Sequence, residues 1–524
     1  MHAFPCPHST NSNDNKGSNP LPVLEKDEMK MRNRLFLAAM ILTLPCAVCV
    51  AEKTHALNKP NVLFIAIDDL RTSLGCYGDR PAKTPNIDRL ADEGLRFNRA
   101  YCHQAVCGPS RVSMLTGLLP DRTRVWHNRN LFRDTLADAV TLPQLFKNNG
   151  YHAQSMGKVF SGRDRLAELD PQSWSVPPLL RGEGWRNYVL EANDGGNKKG
   201  VAYEAADVDD DGYNDGKLAN LAIETLEGFK AKGQRFFLAV GFFKPHLPFN
   251  APKKYWDLYD PAALELRGAV GRVKGAPGMA YHSHRELGGY RNMPPDEKVS
   301  PEQARKLRHG YYACVSYVDA QVGKVMATLE RLELEKNTIV VLWGDHGYAL
   351  GEEARWCKGT NFELDTRVPL IVRVPGITEP GTVTEAMIEY VDIYPTLADL
   401  AGLSVPDGLD GMSLVPILKD HHLPGRHAVL SQFARPFSPP VPEIMGYSIR
   451  TNTHRYTRWI QWSGKNVLAE ELYDYTSRAS AVHEGAFMIE RQNVVANPDY
   501  VNTRERLRAE MNLILKRRTK LSPQ

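Results

Sequence analysis

The chain is short of three things, and each shortage excludes something. Cysteine is scarce: eight residues in 524, at positions 6, 46, 49, 76, 102, 107, 314 and 357. Three of these precede residue 50, and the five scattered over the rest make neither a disulfide framework nor a zinc-spaced CxxC pair. Five is an odd number, so at least one thiol stays unpaired if the others pair, and Cys107 is the candidate. Charge of one sign is also lacking. The 65 Lys+Arg against 61 Asp+Glu leave a net +4, which gives no electrostatic footprint for nucleic acid. Long apolar runs are nearly absent. The one segment that concerns a membrane, 35–51, has an apolar core of only about ten residues (Leu35 to Leu44), against the roughly 20 that a span requires. Lys30, Arg32 and Arg34 precede it, and Val48-Cys49-Val50-Ala51 follows. This is the layout of a secretory signal beginning at Met29 or Met31, behind a polar extension, with an anchor or a buried helix as the alternative. The expected location is secreted or periplasmic, with no stable membrane span in the mature chain.

What remains is ordinary globular material. At 42% hydrophobic and 24% charged residues, the composition excludes disorder over most of the chain. Asn61 to Ile67 is a continuous apolar run, as in a strand buried on both faces of a parallel sheet, and it ends in Asp68-Asp69. Similar strands are expected at Arg235–Phe243, Thr338–Trp343 and Leu370–Val374. Helical patterns intervene at about 86–93, 141–149, 216–231, 301–333 and 391–401. Strands alternating with helices indicate an α/β fold with a large, mostly parallel sheet flanked by helices. Ligands gather at the carboxyl ends of such strands. Asp68-Asp69 and Asp345-His346 both follow strands directly, so they point to one shared site. The α/β domain is expected over 58–425 and a smaller C-terminal α+β subdomain over 426–524. The latter has short strands at His427–Phe433, Tyr447–Thr451 and Arg455–Ile460, a hairpin turn at Asn452-Thr453-His454, and a closing helix from Asn502 to Lys516 with Asn502 as N-cap. The Gly- and Pro-rich stretch from about 266 to 300 reads as a long loop. Asp207-Val208-Asp209-Asp210-Asp211-Gly212 imitates the start of an EF-hand. Its twelfth position is Leu218 where the loop needs Glu, so it reads as an acidic loop capping the next helix.

The most informative stretch is Tyr101 to Arg111. Cys107 precedes Gly108-Pro109 and a helix-compatible run, and Pro suits a first helical turn. A thiol there faces unpaired N–H groups and the positive end of a dipole, with Arg111 four residues on. Two readings follow: a nucleophile poised for an anionic substrate, or a buried structural cysteine.

Cys107-Gly108-Pro109-Ser110-Arg111 resembles the Cys-X-Pro-Ser-Arg motif of the type I, formylglycine-dependent sulfatases. Further stretches match that family in the same order: Asn61 to Asp69, Thr84 to Leu90, Gly157-Lys158-Val159-Phe160, Lys244-Pro245-His246-Leu247-Pro248-Phe249, Asp345 to Glu352, and Trp356-Cys357-Lys358. Gln104 to Cys107, Lys244-Pro245-His246 and Met445 to Arg450 resemble iduronate-2-sulfatase-like members most. The resemblance implies an alkaline-phosphatase-like fold and hydrolysis of sulfate esters on sulfated glycans, with a 2-O-sulfated uronic acid as the substrate class. It implies a maturing, formylglycine-generating enzyme that oxidises Cys107, and a Ca²⁺ or Mg²⁺ ion held by Asp68, Asp69, Asp345, His346 and the modified Cys107. Oxygen donors suit those hard ions, while the imidazole of His346, where many sulfatases have Asn, is softer.

By the same resemblance, hydrated formylglycine at 107 attacks sulfur in line. The alcohol leaves, and loss of sulfate regenerates the aldehyde. Arg111 and Lys158 hold oxygens on the metal side, while His246 and Lys358 bind sulfate and protonate the departing oxygen, help worth roughly 10²–10⁴-fold. One position departs from the pattern. Ser161 stands where many relatives have a histidine that assists breakdown of the intermediate, and a serine is no base near neutral pH. His103 or His127 are candidates to replace it. Two rival readings follow, a phosphodiester or phosphonate-ester hydrolase on the same fold and a catalytically weak sulfated-glycan-binding protein. Nothing in the sequence specifies an oligomer.

Overall fold

The apolar runs at 61–67, 236–242 and 338–344 become adjacent strands at the centre of one sheet. A computed structural model describes residues 59–161, 170–179, 184–196, 198–264, 271–282, 286–437, 441–464 and 466–519. The secretory signal expected at 29–51 lies outside the described residues. The central sheet has seven strands: β1 Asn61–Ile67, β2 Leu95–Tyr101, β3 His152–Gly157, β4 Phe236–Phe242, β5 Thr338–Gly344, β6 Arg367–Arg373 and β7 Thr382–Glu389. Their spatial order is β7-β2-β6-β5-β1-β4-β3. β1 lies between β4 and β5 and is parallel to both, and β3 is parallel to β4. β6 alone runs against its neighbours, β5 and β2.

β1, β4 and β5 are buried along their whole length, which requires a hydrophobic layer on each face. Alternate residues of β1 supply the two layers. Leu63, Ile65 and Ile67 pack with the helices α1 Pro85–Asp92, α4 Asn214–Ala231 and α5 Pro301–Arg331. Val62, Phe64 and Ala66 pack with α2 Cys107–Thr116, α3 Leu142–Asn148 and α6 Ile393–Leu400. Local sequence starts these helices: Thr141 with Gln144 and Ser300 with Gln303 form capping boxes, each followed by a proline in the first turn. No described helix is long and apolar enough to cross a membrane.

A second sheet, antiparallel, follows in chain order: β8 Ala428–Arg435, β9 Ile444–Thr451, β10 His454–Gln461 and β11 Val467–Asp474. The last helix, α7 Val501–Thr519, covers it through Leu507 and Met511 against Leu430, Ile449, Tyr456 and Leu472. The β9–β10 turn is the pair Asn452-Thr453, since His454 already belongs to β10. Asn502 is not an N-cap: it lies inside α7, and Asn497 instead caps the short turn at 498–500 that leads into the helix. The strands that the sequence pattern does not mark, β2, β3, β7 and β11, lack a continuous apolar run. β2 reads Leu-Arg-Phe-Asn-Arg-Ala-Tyr, and β11 carries Glu470 and Glu471.

The EF-hand imitation is an ion-pair anchor. Asp210 accepts from Tyr255 (2.8 Å), Lys254 (2.7 Å), Lys324 (2.5 Å) and Gln321 (3.2 Å), while Leu218 is core. It does not cap α4, where the Gly216 N–H donates to the Tyr317 hydroxyl at 2.6 Å.

The C-terminal sheet also buries a carboxyl with a consequence for stability. Glu471 accepts from Trp459 Nε1 (2.7 Å) and the Tyr473 hydroxyl (2.5 Å). Burial pushes its carboxyl up to about 7, and the two donors only partly oppose this. The folded protein therefore holds this proton more tightly than the unfolded chain. Glu471's contribution is fully present below about pH 4.5 and is lost as pH rises through 7, a change on the order of 3 kcal/mol. A Glu471→Gln protein keeps an acceptor for Trp459 and carries no proton to lose. Its Tm relative to wild type is expected to rise between pH 5 and pH 8. A Tm difference that does not vary with pH in thermal melts would rule this out.

Candidate active site

Two neighbouring parallel strands bring the acidic residues together. Ile67 pairs with Gly344 at the ends of β1 and β5, so Asp68 and Asp345 emerge side by side. Asp69 turns back with φ 60°, and its N–H donates to Asp345 Oδ1 at 3.0 Å. α2 starts against this strand end. Its first turn lacks a side-chain cap of its own. Instead, the Gly108 N–H donates to Asn128 Oδ1 (2.8 Å), and Ser110 Oγ donates to the Asp345 carbonyl (2.5 Å). Cys107 is thereby aimed at the carboxylates.

Lys158 arrives from β3 through a close approach of backbones. Gly157 has φ +67°, and a Cβ there would lie 2.2 Å from the Gly241 carbonyl, while a Cβ on Gly241 would lie 2.1 Å from that of Lys158. Only glycine at both positions lets the Lys158 N–H reach the Gly241 carbonyl at 2.7 Å. His246 follows β4 in a turn held from two sides. Asp215, in the first turn of α4, accepts the Phe243 and Lys244 N–H groups at 2.8 Å each. The Lys244 ammonium donates to the carbonyls of Trp185, His246 and Pro248. Lys358 follows Cys357, which sits at φ 68°.

The resulting cluster is buried and densely charged. Arg111 donates through Nε to Asp345 (2.8 Å) and through Nη2 to Asp68 (3.1 Å). Lys158 pairs with Asp68, and Lys358 pairs with Asp69 at 2.8 Å. The Cys107 sulfur lies 3.3 Å from His346 Nε2, 3.4 Å from Lys158 Nζ and 4.0 Å from Asp69 Oδ1. Burial opposes ionisation of Asp68, but Lys158, His246 and Arg111 overcome it and hold the carboxyl well below the usual range. Burial, then the Asp68 carboxylate, push the Cys107 thiol well above its ordinary range. Arg111 is committed to two carboxylates, Asp68 and Asp345.

The donor set fits a hard divalent ion. Ligand atoms of Asp69, Cys107 and His346, of Asp68, Asp69 and His246, and of Asp68, Cys107 and Asp345 form groups within 4.8 Å. His346 directs Nδ1 at the Gly347 carbonyl (3.0 Å) and turns Nε2 to Asp69 and Asp345, the arrangement that presents an imidazole lone pair to a metal. Charge points the same way. Asp68, Asp69, Asp345 and the nearby Glu286 face Arg111, Lys158 and Lys358. Four negative charges against three positive leave one in excess, and a dication reverses that sign, as binding of an anionic ester requires.

Comparison with known proteins decides the family. A model described as sulfatase matches residues 60–403, and one described as the C-terminal part of N-sulphoglucosamine sulphohydrolase matches 351–517. The chain belongs to the sulfatase family. This sulfatase is 36% identical to iduronate 2-sulfatase of Homo sapiens over 494 residues, covering 81% of this chain and 90% of the relative. It is 32% identical to choline-sulfatase of Rhizobium meliloti, covering 69% of this chain and 72% of that protein. Among solved structures, the phosphonate monoester hydrolase of Silicibacter pomeroyi matches with TM-score 0.70 at 24% identity, covering 88% of this chain and 95% of that one. That likeness shows the shared fold, with its large, mostly parallel sheet.

The sulfatase brings together all nine residues singled out in the sequence: Asp68, Asp69, Cys107, Arg111, Lys158, His246, Asp345, His346 and Lys358. All five described cysteines are free thiols, so Cys107 is not singled out by lacking a disulfide. Ser161 is buried. Of the histidines considered to replace its missing imidazole, His103 contacts the Leu430 carbonyl (2.9 Å) and His127 accepts the Arg129 N–H (2.9 Å). Sequence reasoning missed Asn128, Asp215, Trp185 and Glu286. Trp185 packs its ring 5.2 Å from that of His246. None of the four carries a local signal, since each comes from a loop or helix start distant in sequence from the group it serves.

Proposed function

We propose that this sulfatase removes sulfate from sulfated glycans, with 2-O-sulfated uronic acids as the substrate class, using formylglycine made from Cys107 and a bound Ca²⁺ ion. One observation carries the reading: the Cys107 side chain meets His346, Lys158 and Asp69 in a buried cluster that also holds Arg111, Asp68 and Asp345. Identity to iduronate 2-sulfatase over most of both chains supports the substrate class.

Asp68, Asp69, Asp345 and His346 would hold the ion, whose positive charge offsets that of the ester. Formylglycine would supply, as its hydrate, an oxygen nucleophile in place of the thiol. The chain's own residues do the rest. Arg111 fixes Asp68 and Asp345 against each other. Lys158, in contact with both position 107 and Asp68, stabilises negative charge at the nucleophile. His246 Nε2 and Lys358 Nζ lie on the side of Asp69 and stabilise the departing oxygen by giving it a proton. Maturation by a formylglycine-generating enzyme on the export route agrees with the signal read at 29–51 and with a secreted or periplasmic location.

The test compares release from 4-nitrophenyl sulfate, bis(4-nitrophenyl) phosphate and a disaccharide with a non-reducing 2-O-sulfated uronic acid. Faster hydrolysis of the sulfate than of the phosphodiester, together with turnover of the disaccharide, is expected. Preference for the phosphodiester would reassign the reaction. Binding of the disaccharide without turnover, with formylglycine shown to be present, would make the protein a glycan binder.

A further inference from the structure

Glu286 stands in the Gly- and Pro-rich stretch that the sequence marks only as a loop, yet it is 7% exposed and reaches the centre of the site. Its Oε1 lies 3.2 Å from His246 Nε2, and its Oε2 lies 2.9 Å from Lys358 Nζ. One carboxylate thus grips both side chains assigned to protonation of the leaving oxygen. Both His246 nitrogens face oxygen acceptors, Nδ1 the Leu247 carbonyl and Nε2 the carboxylates of Glu286 and Asp69. Oxygen partners at both nitrogens hold the ring in one orientation.

The loop is built to hold the carboxylate there. The Glu286 carbonyl accepts from Lys199 Nζ at 2.7 Å, and that ammonium lies 4.5 Å from the centre of the Tyr290 ring. Two residues on, the Gly288 N–H donates to Glu297 (3.0 Å). Burial would favour the neutral acid, but Lys358 and His246 outweigh it and hold the Glu286 carboxyl well below the usual carboxylate range.

We propose that Glu286 is a positioning residue for leaving-group protonation: it aligns His246 and Lys358 so that their N–H groups meet the sugar oxygen as the sulfur–oxygen bond breaks. This rests on the sulfatase reading above. In that step sulfur bonds to the nucleophile oxygen at position 107, and the electron pair of the broken S–O bond stays on the sugar oxygen. A proton passes from nitrogen to that oxygen, and the N–H pair remains on nitrogen. Glu286 does not touch the reacting atoms. It acts through the two donors, and its effect therefore scales with how much the leaving oxygen needs a proton.

That dependence separates positioning from a merely structural role. An alkoxide leaving from a sugar needs protonation, whereas 4-nitrophenolate does not. In matured enzyme, Glu286→Gln is expected to lower kcat on the sulfated disaccharide by about 10–100-fold, a part of the help a general acid gives, and kcat on 4-nitrophenyl sulfate by less than about 3-fold. Glu286→Asp, which keeps the charge on a shorter arm, is expected to recover part of the disaccharide rate. It also serves as the test variant if the glutamine form does not fold. Equal losses on both esters, or no loss on either, would overturn the proposal. Sulfate release from 4-nitrophenyl sulfate by the wild-type enzyme reports on the reaction itself, and the ratio of the two rates reports on Glu286, so the two claims fail separately.

Discussion

A Cys107→Ala protein is expected to fold and to release no sulfate, a fall in kcat of about 10⁴-fold or more. The side chain is buried, and its neighbours are the charged cluster rather than the apolar layers alone. Removing one sulfur atom there costs little packing compared with a large core truncation. On the proposed mechanism, it removes the side chain that maturation would convert to an oxygen nucleophile. The accompanying observation is chemical. In active wild-type protein, the peptide Ala100–Arg111 is expected about 18 Da lighter than its thiol form, the balance of losing H₂S and gaining one oxygen. Full activity in the alanine variant, or active wild-type enzyme carrying an unmodified thiol throughout, would end the formylglycine assignment.

Loss of the divalent ion ranks next. Chelation is expected to reduce kcat by about 10³-fold and to be reversed by added Ca²⁺. Asp345→Asn is expected to match that loss without rescue at ordinary Ca²⁺ concentrations. Asp345 accepts from Arg111 Nε at Oδ2 and from the Asp69 and His346 N–H groups at Oδ1. An amide there turns a donor toward one of these donors and also removes a charge. A readout independent of turnover follows from linkage. An ion that binds only the folded state stabilises it by about 2.7 kcal/mol at one hundred times its dissociation constant. Wild-type Tm is therefore expected to climb with Ca²⁺ while that of Asp345→Asn stays flat. Parallel curves for the two proteins would show that this cluster is not the ion's site.

Much of this cluster is legible in the sequence, for reasons that differ by residue. Asp68, Asp69, Asp345 and His346 follow apolar runs that become β1 and β5. Acids at the carboxyl ends of adjacent parallel strands have few places to be except together. Cys107 announced itself through a proline-opened helix. Lys158, His246 and Lys358 had no such local context, and only resemblance to the sulfatases raised them above ordinary surface residues.

The sequence places Arg111 four residues beyond Cys107, but the structure gives that cation other partners. Arg111 is claimed by Asp68 and Asp345. A guanidinium four residues along a helix has several directions open to it, and the strongest acceptors within reach decide among them.

The sequence by itself determined the layered α/β architecture of the centre, the family, and which side chains gather at the strand ends. Those features are written in short-range patterns: short apolar runs, helix caps, and a series of short motifs. Only the tertiary structure decided that Asn128 caps the nucleophile's helix, that Asp215 braces the His246 turn, that Asp210 is an ion-pair anchor, and that Glu286 joins His246 to Lys358. A buried charge must be matched by whichever opposite charge or donor the fold brings within about 3 Å, because leaving it unmatched costs several kcal/mol. That pairing depends on where separate loops finally lie and leaves no trace in local sequence.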